Sequence, residues 1–183
     1  MAPCLFLMAI LPLTFQAEQN AERSRDNDAI KKLLPQHLSA WEAKDWRKVV
    51  LDTDPEALRF FKDQWSVVLK KHRDLPTIRA FVPKDKDLET VLAMSVDEFY
   101  QTFLSSIEHS RFLMQDYRFA KSEVIGIVHE KVDFAHAVVR FERKDSGVTT
   151  FKMEVVTLKK ARDGWKLLLP GELRNFAEQL RAR

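Results

Sequence analysis

The chain has 183 residues, 45% hydrophobic and 31% charged, with one Cys. That is length for one domain with its own core, and a single cysteine excludes an internal disulfide. Thirty basic residues against 27 acidic ones leave a net +3, and the pairs Lys31–Lys32, Lys70–Lys71 and Lys159–Lys160 are scattered rather than gathered into a basic stripe. No nucleic acid is therefore expected as a partner.

Residues 1–17, "MAPCLFLMAILPLTFQA", carry no charged side chain, and 18–27 are strongly polar. The apolar run is too short to span a bilayer as a helix and has the length of a signal-peptide core. The expectation is cleavage after Ala17 and a secreted or periplasmic product. An uncleaved anchor and an apolar helix packed on the domain are the alternatives. Only an uncleaved segment would imply a membrane partner. Residues 18–27 read as a flexible lead-in, and 28–183 as the domain.

A helical period begins with Ile30, Leu33, Leu34, Leu38 and Trp41, and Pro35 predicts either a later start or a kink. Asp54, Pro55 and Glu56 are the N-cap, first-turn proline and dipole-favouring acid of a second helix. Its stripe is Leu58, Phe61, Trp65, Val68 and Leu69, and it is expected to end near Leu75–Pro76. "DKDLETVLAM" predicts one or two helical turns. Ser95 and Glu98 form a capping box ahead of Val96, Phe99, Phe103 and Ile107. Residues 111–120 read as a connector.

From Ser122 the period becomes two. Strands are predicted at 123–130, 134–144, 148–160 and 164–169, separated by "KVD", "KDSG" and "ARDG". Asp-Gly and Ser-Gly supply the positive φ of tight hairpins, so the sheet is an antiparallel meander. A short closing helix is expected over Leu173, Phe176, Ala177 and Leu180. Helices first and a sheet second make an α+β layer fold.

Alternation sorts each strand into two rows. The oilier row is Val124, Gly126 and Val128; Ala135, Ala137, Val139 and Phe141; Phe151, Met153, Val155 and Thr157; then Trp165, Leu167 and Leu169. It is expected beneath the helices. On that parity Val155→Asp unfolds the domain and Val156→Asp is tolerated. The opposite face then carries Ile127, His136, Val138, Arg140, Glu154, Val156 and Leu168, an apolar centre with a charged rim. That anatomy suits a protein partner or a homodimer. An ordinary solvated face and cover by the chain's own helices are the competing readings.

"VIGIVHEKVDFAHAVVRFER…VTTFKMEVVTLKKARDGWKLLLPGEL", preceded by helices, resembles the NTF2-like (cystatin-like) superfamily, notably its small exported bacterial members. The likeness runs from about Ile30 to Leu180, and "DGWKL" is its most recognisable piece. It implies a curved sheet wrapped around helices as a cone. In such a cone a small ligand or an isomerase or dehydratase site is accommodated, or the outer sheet face dimerises.

Chemistry is sparse. His37, Asp97 and Tyr100 are the helical candidates for acid–base work. Each has a structural explanation: a boundary histidine, a first-turn acid, a ring buried with its hydroxyl at the rim. His129, His136 and Glu154 form a weak metal trio, and no phosphate-cradling glycine loop or serine elbow is present. Trp41, Trp65 and Trp165 read as core; with Met153 they would line any cavity. The sequence thus points to a non-catalytic binding domain without a cofactor, for which a small apolar ligand is one candidate. No catalytic residue is assigned.

Overall fold

The structure, a computed structural model, describes residues 11–79, 81–108, 121–145, 148–169 and 171. Six helices precede four strands among them: α1 (Leu11–Ala43), α2 (Trp46–Asp52), α3 (Pro55–Lys71), α4 (Pro76–Arg79), α5 (Leu88–Ala93), α6 (Val96–Glu108), β1 (Lys121–Lys131), β2 (Phe134–Asp145), β3 (Val148–Ala161) and β4 (Gly164–Leu167). The strands form one antiparallel meander in the order β1-β2-β3-β4. The fold is α+β, with the helices N-terminal to the sheet. The expected connector at 111–120 and closing helix at 173–180 lie outside the described residues.

Local chemistry sets the helix starts. Asp54 accepts from the backbone N–H groups of Glu56 and Ala57, with Pro55 in the first turn of α3. Ser95 and Glu98 form the reciprocal capping box of α6: Glu98 N–H donates to Ser95 Oγ at 3.2 Å, and Ser95 N–H donates to Glu98 Oε2 at 3.0 Å. These side chains satisfy donors that a helix start otherwise leaves without partners. Helix α3 ends at Lys71, earlier than expected, and Pro76 opens α4.

Helix α1 departs from expectation. It runs continuously from the apolar segment through residues 18–27 and carries Pro35 in its interior. The polar stretch is a docked part of the helix rather than a flexible lead-in. Asp26 accepts from the Trp165 indole N–H at 3.0 Å and pairs with Lys160 at 3.0 Å. Glu22 also pairs with Lys160, and Asn27 meets His129 at 2.8 Å. Polar residues bind here because the end of the sheet offers an indole, an ammonium and an imidazole as partners.

Two apolar clusters result. Ile30 and Leu34 of α1 pack with Ala135, Ala137, Val139, Phe141, Leu158, Trp165 and Leu167 of the sheet. Both alanines are fully buried in this cluster. Helices α2 to α6 build the second cluster around Phe61, Trp65, Phe99, Tyr100 and Phe103. Its rings meet at 4.7–6.5 Å, mostly tilted or edge to face, the geometry their quadrupoles favour.

The strand faces require correction. Rows β2 and β4 are as expected: Ala135, Ala137, Val139, Phe141, Trp165 and Leu167 are buried. In β3 the expected row is inverted, since Phe151, Met153 and Val155 are 61%, 54% and 65% exposed while Leu158 is fully buried. The cause is register. Asp145 pairs with Val148, so Phe141, Val139, Ala137 and Ala135 face Lys152, Glu154, Val156 and Leu158. Opposed residues in an antiparallel pair point to the same side, so the even-numbered residues of β3 turn inward. Strand β1 changes parity along its length. A bulge at Ile125 leaves Val124 opposite Val139 but puts Gly126 opposite Val138 and Ile127 opposite Ala137. Ile127 and His129 therefore face the helices and Val128 faces outward, the reverse of expectation. One extra residue in a strand produces this flip.

Candidate binding site

The corrected parity changes which groups meet. Ile127, Glu154 and Val156 leave the proposed outer face for the helical side. Ile127 and Val156 pack against the α1–sheet cluster. Glu154, Val156 and Leu168 line a cavity of about 430 Å³. Only His136, Val138 and Arg140 of the seven expected residues share the outer face.

Three layers wall the cavity. Leu34, His37, Leu38 and Trp41 come from α1, Tyr100 from α6, and Val139, Phe141, Glu154 and Val156 from the sheet; Leu167–Leu169 close it from the strand end. The volume suits a small molecule. Among the described residues its charged wall groups are Glu42 and Glu154, and no described Lys or Arg lines it. Lys152 holds Glu154 Oε1 at 2.6 Å. Of the expected aromatic lining, Trp41 is present, whereas Trp65 and Trp165 are buried in the two clusters and Met153 points outward.

His37 and Thr53 are buried polar residues of the wall. The Trp41 indole N–H donates to His37 Nε2 at 2.9 Å. That bond uses the Nε2 lone pair and leaves the ring proton on Nδ1, which lies 3.6 Å from Asp52 Oδ2. Lys48 reaches the other oxygen, Oδ1, at 2.5 Å. Burial raises the Asp52 pKa, but His37 and Lys48 favour the carboxylate more strongly, so the group lies below its ordinary range. Stability from this carboxylate is full above its unfolded value, near 3.8, and is lost as pH falls through the lower folded value. Asp52→Asn is expected to flatten the stability–pH curve below about pH 4, measured by urea unfolding at a series of pH values; an unchanged acid limb would refute the assignment.

Sequence reasoning placed His37 at a core boundary, where it is, but did not pair it with Asp52 or Trp41. Asp52 lacked a motif that would mark it, while the four-residue spacing from His37 to Trp41 was a readable one. Tyr100 is buried, with its ring in the helical cluster, and lines the cavity. Asp97 is in the first turn of α6. His129 and His136 lie on opposite faces of the sheet, His129 against Asn27 and His136 against Glu130 at 3.1 Å and Thr157 at 3.1 Å. With Glu154 on the inner face, the metal trio does not assemble, and among the described residues no group of His, Cys, Asp and Glu is arranged to hold a metal.

On the outer face Arg140 pairs with Glu123 at 2.6 Å and lies over the Phe151 ring at 5.6 Å. Around them Val128, Val138, Met153 and Val155 form an apolar strip. No described helix is long and apolar enough to cross a membrane. No family model, no curated protein and no solved structure matches the chain.

Proposed function

We propose that this chain is an exported NTF2-like domain that binds a small molecule, mostly apolar with a cationic or hydrogen-bond-donating group, between α1, α6 and the sheet. The cavity carries the reading: it is about 430 Å³, walled by Leu, Val and aromatic side chains, and among the described residues its charged groups are the carboxylates of Glu42 and Glu154. An apolar body would displace water from Leu38, Val156 and Leu169, and a cation would find Glu154 and the faces of Trp41 and Phe141. Export with loss of residues 1–17 belongs to the same proposal, and mass analysis of the exported chain tests it by a start at Glu18.

Three probes of one shape test the binding: naphthalene, 1-naphthylmethylamine and 1-naphthoate, titrated calorimetrically. The amine is expected to bind about fivefold or more tighter than the acid, the equivalent of about 1 kcal/mol. Leu38→Trp, which fills the cavity, is expected to abolish binding with the fold retained by circular dichroism. Absence of binding by all three, or binding indifferent to Leu38→Trp, overturns the proposal.

The alternative, an isomerase- or dehydratase-type enzyme, has one observation in its favour: the His37–Asp52 pair at the cavity wall. A general base needs an available lone pair aimed at substrate, and Trp41 holds that of Nε2. Binding without turnover is the reading this geometry supports better.

A further inference from the structure

The β3 edge borders the cavity at Glu154 and Val156, but its pairing does not rest on what the cavity binds. Strand β4 pairs only with Leu158–Ala161 of the 14-residue β3, and Leu168 N–H adds one bond to Thr157 O. Among the described residues, Val148–Val156 has no strand partner on the side away from β2. Backbone donors and acceptors along such an edge are a template for another strand. This segment has no proline and no bulge against β2; its protective charges are Lys152 and Glu154, which pair with each other. Its outward side chains Phe151, Met153 and Val155 are all more than half exposed.

We propose that this edge joins two copies of the chain, β3 against β3, antiparallel across a two-fold axis at Met153. The sequence Thr150-Phe-Lys-Met-Glu-Val-Val156 is complementary to itself about that residue. A two-fold axis normal to the sheet keeps each face on its own side, so it must pass at a residue rather than between two. Centred on Met153, Lys152 faces the partner's Glu154 and Glu154 the partner's Lys152 on the inner side. Phe151 then faces the partner's Val155 on the outer side. Centred one residue earlier, Lys152 opposes its own copy; one residue later, Glu154 does. Like charges directly opposed are unfavourable, so charge selects the Met153 register among these neighbours. The Lys152–Glu154 pair within one chain, at 2.6 Å, becomes half of a four-charge cluster. Those charges specify register and partner, while affinity comes from the strand hydrogen bonds and the apolar outer row. The partner strand ends where β4 begins, limiting the pairing to about seven residues.

Charge reversal tests this. Lys152→Glu and Glu154→Lys are each expected to weaken self-association about tenfold or more, measured by sedimentation equilibrium. Mixing the two variants is expected to restore dimers, because every opposed pair is then of opposite sign. Both reversals in one chain are expected to restore the homodimer. Circular dichroism checks that each variant remains folded. A wild-type chain that stays monomeric to millimolar concentration overturns the proposal, as does a dimer indifferent to both reversals. A dimer broken by Val138→Asp but not by the reversals points to face-to-face packing and equally overturns it. Protection of the Val148–Val156 amides from exchange in a monomer would show that the chain's own residues cover the edge, and would overturn it too.

Discussion

Val139→Asp is expected to leave no cooperatively folded domain, while Val155→Asp is expected to fold. Val139 is 1% exposed between the sheet and α1, and its cross-strand neighbour is Glu154. A carboxylate there has no cation directly opposite and meets a second carboxylate. An uncompensated buried charge costs about 3–5 kcal/mol, and the lost burial of valine adds to that. Whole-domain stability is typically about 5–15 kcal/mol, so most or all of it goes. Val155 is 65% exposed on the other face, where a carboxylate stays hydrated. Urea unfolding followed by circular dichroism separates the two. Equal tolerance of both, or unfolding by Val155→Asp alone, would refute the register.

Trp65→Ala is expected to destabilise the domain by about 3–5 kcal/mol. The side chain is fully buried and meets Phe103 at 4.7 Å, Phe81 at 4.9 Å and Phe61 at 5.9 Å between ring centroids. These rings come from α3, α6 and the segment after α4, so their backbones cannot all close on the space left behind. The urea midpoint should fall with little change in slope. A loss below about 1 kcal/mol would mean that this cluster collapses freely and does not hold the helical layer together.

How far the faces were legible depends on the strand. In β2 the inward row was the only uncharged one, and burial logic found it. In β3 the outward row Phe151, Met153 and Val155 is oilier than Lys152, Glu154 and Val156, so the same logic chose the wrong side. Hairpin register contained the answer: if odd residues of β2 face inward and Asp145 opposes Val148, even residues of β3 must do so. The β1 flip had a marker too, because Gly126 within a strand pattern signals a bulge. The polar run 18–27 looked like a lead-in because its partners, His129, Lys160 and Trp165, lie more than 100 residues away.

The amino-acid sequence by itself determined that helices precede the sheet, the caps at Asp54 and Ser95, the meander and the inward faces of β2 and β4, but not the short helices α2 and α4. What it determined depends on neighbours within a few residues and on two simple periods. Only the tertiary structure decided which side of β3 meets the helices, that α1 docks along its polar turns, and that His37, Glu154 and Leu168 border one cavity. Those outcomes depend on strand register and on contacts between distant segments, where the pairing of backbones overrides the oiliness of individual side chains.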